Sequence, residues 1–201
     1  GDFYDFYLTK GDTLNFLVAD VSGKGIPAAM FMMRAKTLLK SAAQTSKPLA
    51  EVVTDVNDAL CEGNEANMFV TAWIGQMDIV TGLVTYVNAG HNPPVIKKNG
   101  KFEYLVSRAG FVLAGMENFK YTETNIQLKK GDVFFAYTDG VTESINENRR
   151  FFGEERLEKV LEDFRQSPEK NIVEYVGKNI SEFMNDSEQH DDITMLSFIA
   201  K

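Results

Sequence analysis

Six aspartates stand where apolar runs begin or end. Asp20 closes "TLNFLVAD" and Asp139 closes "DVFFAYTD". Asp191 and Asp192 open the last run, "DDITMLSFIA", while Asp2 and Asp5 flank aromatic residues in "GDFYDFYLT". Carboxylates at the ends of apolar strands can be gathered at one sheet edge while the strands behind hold them. Crowding such charges costs free energy unless cations neutralise them. Oxygen ligands without histidine or cysteine suit Mg²⁺ or Mn²⁺ better than zinc or copper. Each acid alone also reads as a turn residue or a helix cap, because Asp before Gly and Asp before a helix are common for local reasons. On the residues alone, both readings stand.

The stretch "ADVSGKGIPAAM", residues 19–30, offers a rival chemistry, a phosphate-binding loop. It fails that test. A Walker-type loop needs a hydroxyl residue after Gly-Lys, where this chain has Gly25, and a glycine where it has Val18. A dinucleotide loop needs a third glycine where Ala28 stands, and a parallel βαβ unit. The two histidines are far apart. His91, in "NAGHNPP", reads more simply as a packed residue fixing the turn before Pro93 and Pro94 than as an acid–base group. His190, beside Asp191, is open in the same way: it could orient a ligand or protonate a leaving group, or simply pack. Cys61 is the single cysteine, so no internal disulfide forms and no structural zinc site is expected.

The elements that position these acids follow from periodicity. "FYDFYLT" and "TLNFLVADV", with "KGD" between them, predict a hairpin. Pro27 suits the first turn of a helix over "AAMFMMRAKTLLKSAAQ". Pro48 opens a second helix with Leu49, Val52, Val53, Val56 and Leu60 on one face. Short strands follow from residue 67 to residue 140, then helices over 154–164 and 172–185, then a final strand. The order is not an alternating βαβ series. It predicts an α+β fold of antiparallel sheets covered by helices, in one domain of 201 residues. No apolar run reaches the roughly 18–20 residues of a membrane span. The formal charge of −8 disfavours nucleic acid and anionic membrane, and "KKNGK" reads as a solvated hairpin tip.

Taken together and in order, "GDFYD", "ADVSGKGIPAAM", "NAGHNPP", "YTDGVTE" and "DDITMLSF" resemble the bacterial SpoIIE/RsbU-like branch of the metal-dependent PPM phosphatases, relatives of phosphatase 2C. The resemblance implies a four-layer αββα sandwich, here without the edge strand that usually precedes "GDFYD". It implies hydrolysis of phosphoserine or phosphothreonine with two Mn²⁺ or Mg²⁺ ions. The catalytic acids would be Asp20, Asp139 and Asp191. The metal ligands would be Asp2, Asp20, the Val21 carbonyl, Asp139 and Asp191, with Asp5, Glu143, His190 and Asp192 around them. No phosphate-binding arginine is assigned. The usual substrate in this branch is a phosphorylated anti-sigma-factor antagonist of the STAS type. The phosphatase is often the output domain of a sensor protein, and the start at Gly1 fits the removal of such a sensor. A cytoplasmic location is expected, unless a missing N-terminal region anchors the whole protein to a membrane. The sequence leaves open whether two copies pair as a homodimer. The competing functions are a degenerate domain that only binds a partner, and a phosphatase of small metabolites.

Overall fold

Side-chain alternation along two strands sets the architecture. The computed structural model describes residues 1–9, 11–108, 110–164 and 171–201. Lys10, in the expected first turn, lies outside the described residues. β1 (Phe3–Thr9) and β2 (Thr13–Val21) pair antiparallel from Phe3 opposite Ala19 to Thr9 opposite Thr13. In β2 the odd-numbered Leu17, Ala19 and Val21 pack under helices, while the even-numbered Phe16 and Val18 pack against a second sheet. A strand buried on both faces is apolar at nearly every position, as "FLVA" is.

The helices over the first sheet are α1 (Ile26–Ala42) and α2 (Leu49–Cys61), each with a proline at its start. α2 buries Leu49, Val52, Val53, Val56 and Leu60, the face predicted from spacing. Burying each such side chain contributes about 1.5–3 kcal/mol before entropy is charged against it. The remaining strands are β3 (Val70–Asp78), β4 (Leu83–Ala89), β5 (Val95–Lys98), β6 (Lys101–Tyr104), β7 (Thr124–Gln127), β8 (Val133–Tyr137) and β9 (Met195–Ile199). They form a five-stranded sheet ordered β1-β2-β3-β4-β7 and a four-stranded sheet ordered β6-β5-β8-β9. All the ladders are antiparallel. α3 (Glu154–Asp163) and α4 (Ile172–Met184) cover the second sheet, through Leu157, Leu161, Val176 and Ile180 against Val133, Phe135 and Tyr137. The layers therefore run helix, sheet, sheet, helix, as expected.

Between the sheets lies an aromatic core. Trp73 stacks on Tyr86 with ring centroids 5.0 Å apart and lies 5.0 Å from Phe134. Gly75 makes room for it, because a Cβ there would sit 2.6 Å from the Phe16 ring and 2.7 Å from Trp73. The "KKNGK" segment is the β5–β6 hairpin, turned by Asn99 and Gly100, both with positive φ. β1 is an edge strand of its sheet, as β9 is of the other. Tyr4, Phe6 and Leu8, on the side of β1 that turns toward the second sheet, are exposed.

Candidate active site

The same alternation decides which acids meet. Asp20 continues the Phe16–Val18 side of β2 and so points between the sheets at the end of the strand. Asp2 precedes the helix-facing Phe3 and points the same way from the start of β1. The register that pairs Phe3 with Ala19 brings them to the same end of the sheet. On the second sheet, Tyr137 pairs with Met195, so Thr138 and Thr194 flank each other just beyond the ladder. Thr138 N–H donates to the Thr194 carbonyl at 3.0 Å, and Thr194 N–H donates to the Thr138 hydroxyl at 3.0 Å. Asp139 follows at once. Both sheets thus end in polar residues at the same end of the sandwich.

Asp2 is the most perturbed acid. Burial pushes its carboxyl up to about 7, and Asp20 beside it pushes in the same direction, while Thr138 and Thr194 partly offset the rise. Its Oδ2 is buried without a hydrogen-bond partner. Asp139 is also raised, first by burial and then by the charges of Asp20, Glu143 and Asp191. Asp192 is held below the usual carboxylate range, chiefly by the amine of Gly1 at 2.5 Å. Among the described residues, no three His, Cys, Asp or Glu side chains already converge as a complete metal shell. Asp20 is the acid whose charge raises both Asp2 and Asp139.

A cleft of about 300 Å³ opens onto this end, lined by Asp20, Val21, Ser22, Lys24, His190, Asp191 and Asp192 among others. The Val21 carbonyl lies beside Gly1, where an added Cβ would come within 3.0 Å of it. The loop after Val21 is held by Ser22, whose N–H donates to the Phe69 carbonyl at 2.9 Å and whose hydroxyl accepts from Phe69 N–H at 2.8 Å. Lys24 spans the cleft, donating to the His190 carbonyl at 2.5 Å and pairing with Asp191 at 3.3 Å. His190 itself is exposed at the lip. Glu143 is exposed, and its N–H donates to the Asp139 carbonyl at 2.8 Å. A larger groove of about 840 Å³ opens on the other side of Asp2, between β1 and α1.

Asp5 is not brought to this cluster. It stands three residues from Asp2, an odd number, so alternation turns it to the helix side of β1. There it pairs with Lys40 of α1 at 3.5 Å. Asp5→Asn is therefore expected to lower unfolding free energy by only about 0.5–1 kcal/mol, because the largely buried Asp5 carboxylate faces a half-exposed Lys40, and to change activity by less than about twofold. Denaturant titration and a turnover assay check this. Sequence reasoning missed Thr138, Thr194 and Lys24. The threonines were visible one residue before Asp139 and two after Asp192 in "YTDG" and "DDIT", at the same alternation as the strand interiors.

The raised carboxyl of Asp2 has a consequence for the metal-free protein. Between about pH 4 and pH 7 the folded chain keeps a proton that the unfolded chain has lost, so this group's contribution to stability falls as pH rises through that window. Asp2→Asn should gain on the parent protein as pH rises from 4 to above 7, by about 1–2 kcal/mol after discounting for partial solvent screening. Urea titrations of both proteins in chelator, across that range, test the sign. A difference that stays flat would show that Asp2 is not buried against Asp20.

The αββα sandwich is the architecture of PP2C-type phosphatase domains. The SiaA-PP2C domain of Pseudomonas aeruginosa superimposes with a TM-score of 0.84 at 24% identity, over 98% of this chain and 80% of that one. RsbX in complex with magnesium superimposes at 0.70 with 19% identity, over 98% and 85%. The chain belongs to the SpoIIE family: the model of that family, Stage II sporulation protein E, matches residues 10–199. Phosphoserine phosphatase RsbU of Bacillus subtilis (strain 168) is 31% identical over 198 residues, which are 98% of this chain and 58% of that protein. The chain thus spans little more than half of that relative. Among the described residues, no helix is long and apolar enough to cross a membrane.

Proposed function

We propose that this domain is a divalent-metal-dependent phosphatase of phosphoserine or phosphothreonine in a partner protein, acting as the output domain of a longer regulatory protein. The observation that carries the reading is the Asp2–Asp20 pair. A buried carboxylate oxygen without a partner, beside a second carboxylate, is an arrangement that a cation would relieve. The donor set is all oxygen, which fits Mn²⁺ or Mg²⁺. Asp20 would be shared by two ions, with Asp139 and Asp191 toward one and Asp2 and the Val21 carbonyl toward the other. Ions so held lower the pKa of a bound water and neutralise charge developing on phosphoryl oxygens.

The chain's own residues then have definite tasks. Asp20 lies between the Asp2 side and the Asp139 side of the cleft, so it is the acid that both halves of the site share. Thr138 and Thr194 steady Asp2 from the second sheet. Lys24 is the cationic side chain among those lining the cleft, and its ammonium is available to an anionic phosphoryl group once Asp191 is engaged elsewhere. Asp191, Asp192 and His190 are exposed, so the acids border an open cleft rather than an enclosed pocket. That openness suits a phosphorylated side chain presented by a protein better than a metabolite that must be surrounded. RsbU is named a phosphoserine phosphatase, which supports the same class here. On the motif resemblance, the substrate would be a phosphorylated anti-sigma-factor antagonist of the STAS type.

The test is hydrolysis of an aryl phosphate and of a phosphorylated antagonist protein, with Mn²⁺ and with chelator. Turnover that requires the ion and favours the phosphoprotein is the expected result. No turnover on either substrate with Mn²⁺ would leave a partner-binding module, and preference for small phosphates would favour a metabolite phosphatase.

A further inference from the structure

His91 is 6% exposed and lies between the two sheets directly behind the acids. Its main chain is fixed by one side chain: His91 N–H donates to Asn88 Oδ1 at 2.8 Å, and Asn88 Nδ2 donates back to the His91 carbonyl at 2.9 Å. Its ring reaches in both directions. Nε2 lies 3.1 Å from the Tyr137 carbonyl, and Nδ1 lies 2.8 Å from the Thr71 hydroxyl. A carbonyl can only accept, so Nε2 carries the proton. Nδ1 is then an acceptor, and Thr71 donates to it. Both nitrogens are occupied in a single neutral tautomer, which leaves no free site for proton transfer. Burial keeps the ring neutral by pulling its pKa down to about 4.

The two partners are not arbitrary positions. Thr71, on β3, is the residue paired with Asp20 on β2. Tyr137 ends β8 and stands two residues before Asp139, next to the Thr138 that faces Asp2. One ring therefore joins the strand neighbour of Asp20 on the first sheet to the strand end that carries Asp139 on the second. The packing between the sheets below this point is apolar and aromatic. Such packing holds the layers together but sets their lateral position less strictly than directed hydrogen bonds do.

We infer that His91 is a positioning residue for the metal site, an inter-sheet tie that sets the separation between the Asp20 side and the Asp139 side. This inference rests on the metal-dependent reading of the acids. It accounts for a buried histidine that the reaction itself does not use, and it gives the "NAGHNPP" loop a task beyond its turn. The loop reaches β3 through the parallel bridge between Gly90 and Ala72, and the ring then extends from that anchor to β8.

The test is calorimetric titration of Mn²⁺ into the whole 201-residue chain, with unfolding curves for each variant measured in parallel. His91→Phe keeps an aromatic ring and removes both bonds. It should weaken Mn²⁺ binding by about tenfold or more, as loss of outer partners of metal ligands generally does. The Mn²⁺ concentration for half-maximal turnover should rise in parallel, with a smaller change in turnover at saturation. His91→Gln can still donate to the Tyr137 carbonyl, so it should recover part of the affinity. Thr71→Val removes only the hydroxyl. It should weaken binding by a few-fold on the parent and add little in the His91→Phe background. If His91→Phe does not fold, Gln and Thr71→Val carry the test alone. Folded variants that are less stable but bind Mn²⁺ as the parent does would overturn the tie and leave the metal site intact. A parent chain that binds no Mn²⁺ would overturn the metal reading, and the tie with it.

Discussion

Asp20→Ala is expected to lower Mn²⁺-dependent turnover by more than about a hundredfold while the domain stays folded. The size follows from comparison, since loss of a residue that merely orients a metal ligand costs about 10–100-fold. Asp20 is the acid common to both halves of the proposed site, so its loss should exceed that. Folding should survive for an electrostatic reason. Asp20 raises the carboxyls of both Asp2 and Asp139, so its removal relieves like-charge crowding. Thermal unfolding in chelator should shift upward or stay level, and aryl phosphate hydrolysis should collapse. Near-normal hydrolysis by a folded Asp20→Ala protein would end the assignment of Asp20 as the shared ligand.

Gly140→Ala should be nearly as damaging, although it touches no charge. A Cβ at Gly140 would overlap the Asp192 carbonyl oxygen, which is backbone and cannot swing aside. Either the turn carrying Asp139 or the segment carrying Asp191 and Asp192 must move. Overpacking of this kind costs about 1–3 kcal/mol, and a displacement of about 1 Å in a catalytic group can cost about 10²-fold in rate. Gly177→Ala is the control. That glycine lies inside α4, and its added Cβ would stand an ordinary 3.7 Å from Met195. It should leave turnover unchanged and raise stability by about 0.5–1 kcal/mol through helix propensity. Unfolding curves and Mn²⁺ titrations of the two variants check the contrast. A Gly140→Ala protein indistinguishable from Gly177→Ala would mean that the close approach at Asp192 is not needed.

Asp5 and Thr138 show where local reading stops. Both lie within a few residues of acids singled out by type, yet the structure excludes the first from the cluster and includes the second. Strand alternation underlies that choice, because Asp5 is an odd step from Asp2 and Thr138 is an even step from the core residues Phe134 and Ala136. Alternation becomes decisive only when it is known which face of each strand meets the other sheet.

What the sequence by itself determined was local. The helical face of α2, the β5–β6 turn at Asn99-Gly100 and the buried strands around Phe16 and Phe134 follow from spacing and turn chemistry within a few residues. The acids were likewise visible as types at strand ends. Only the tertiary structure decided that β7 pairs with β4, that β9 closes beside β8, and that Asp2 meets Asp20 while Thr194 meets Thr138. The role of the His91 ring between Thr71 and Tyr137 was decided the same way. The physical reason is range. Helix and turn signals are written in neighbouring residues, whereas these pairings join segments far apart in the chain, and their free energy comes from the whole packed interface between the sheets.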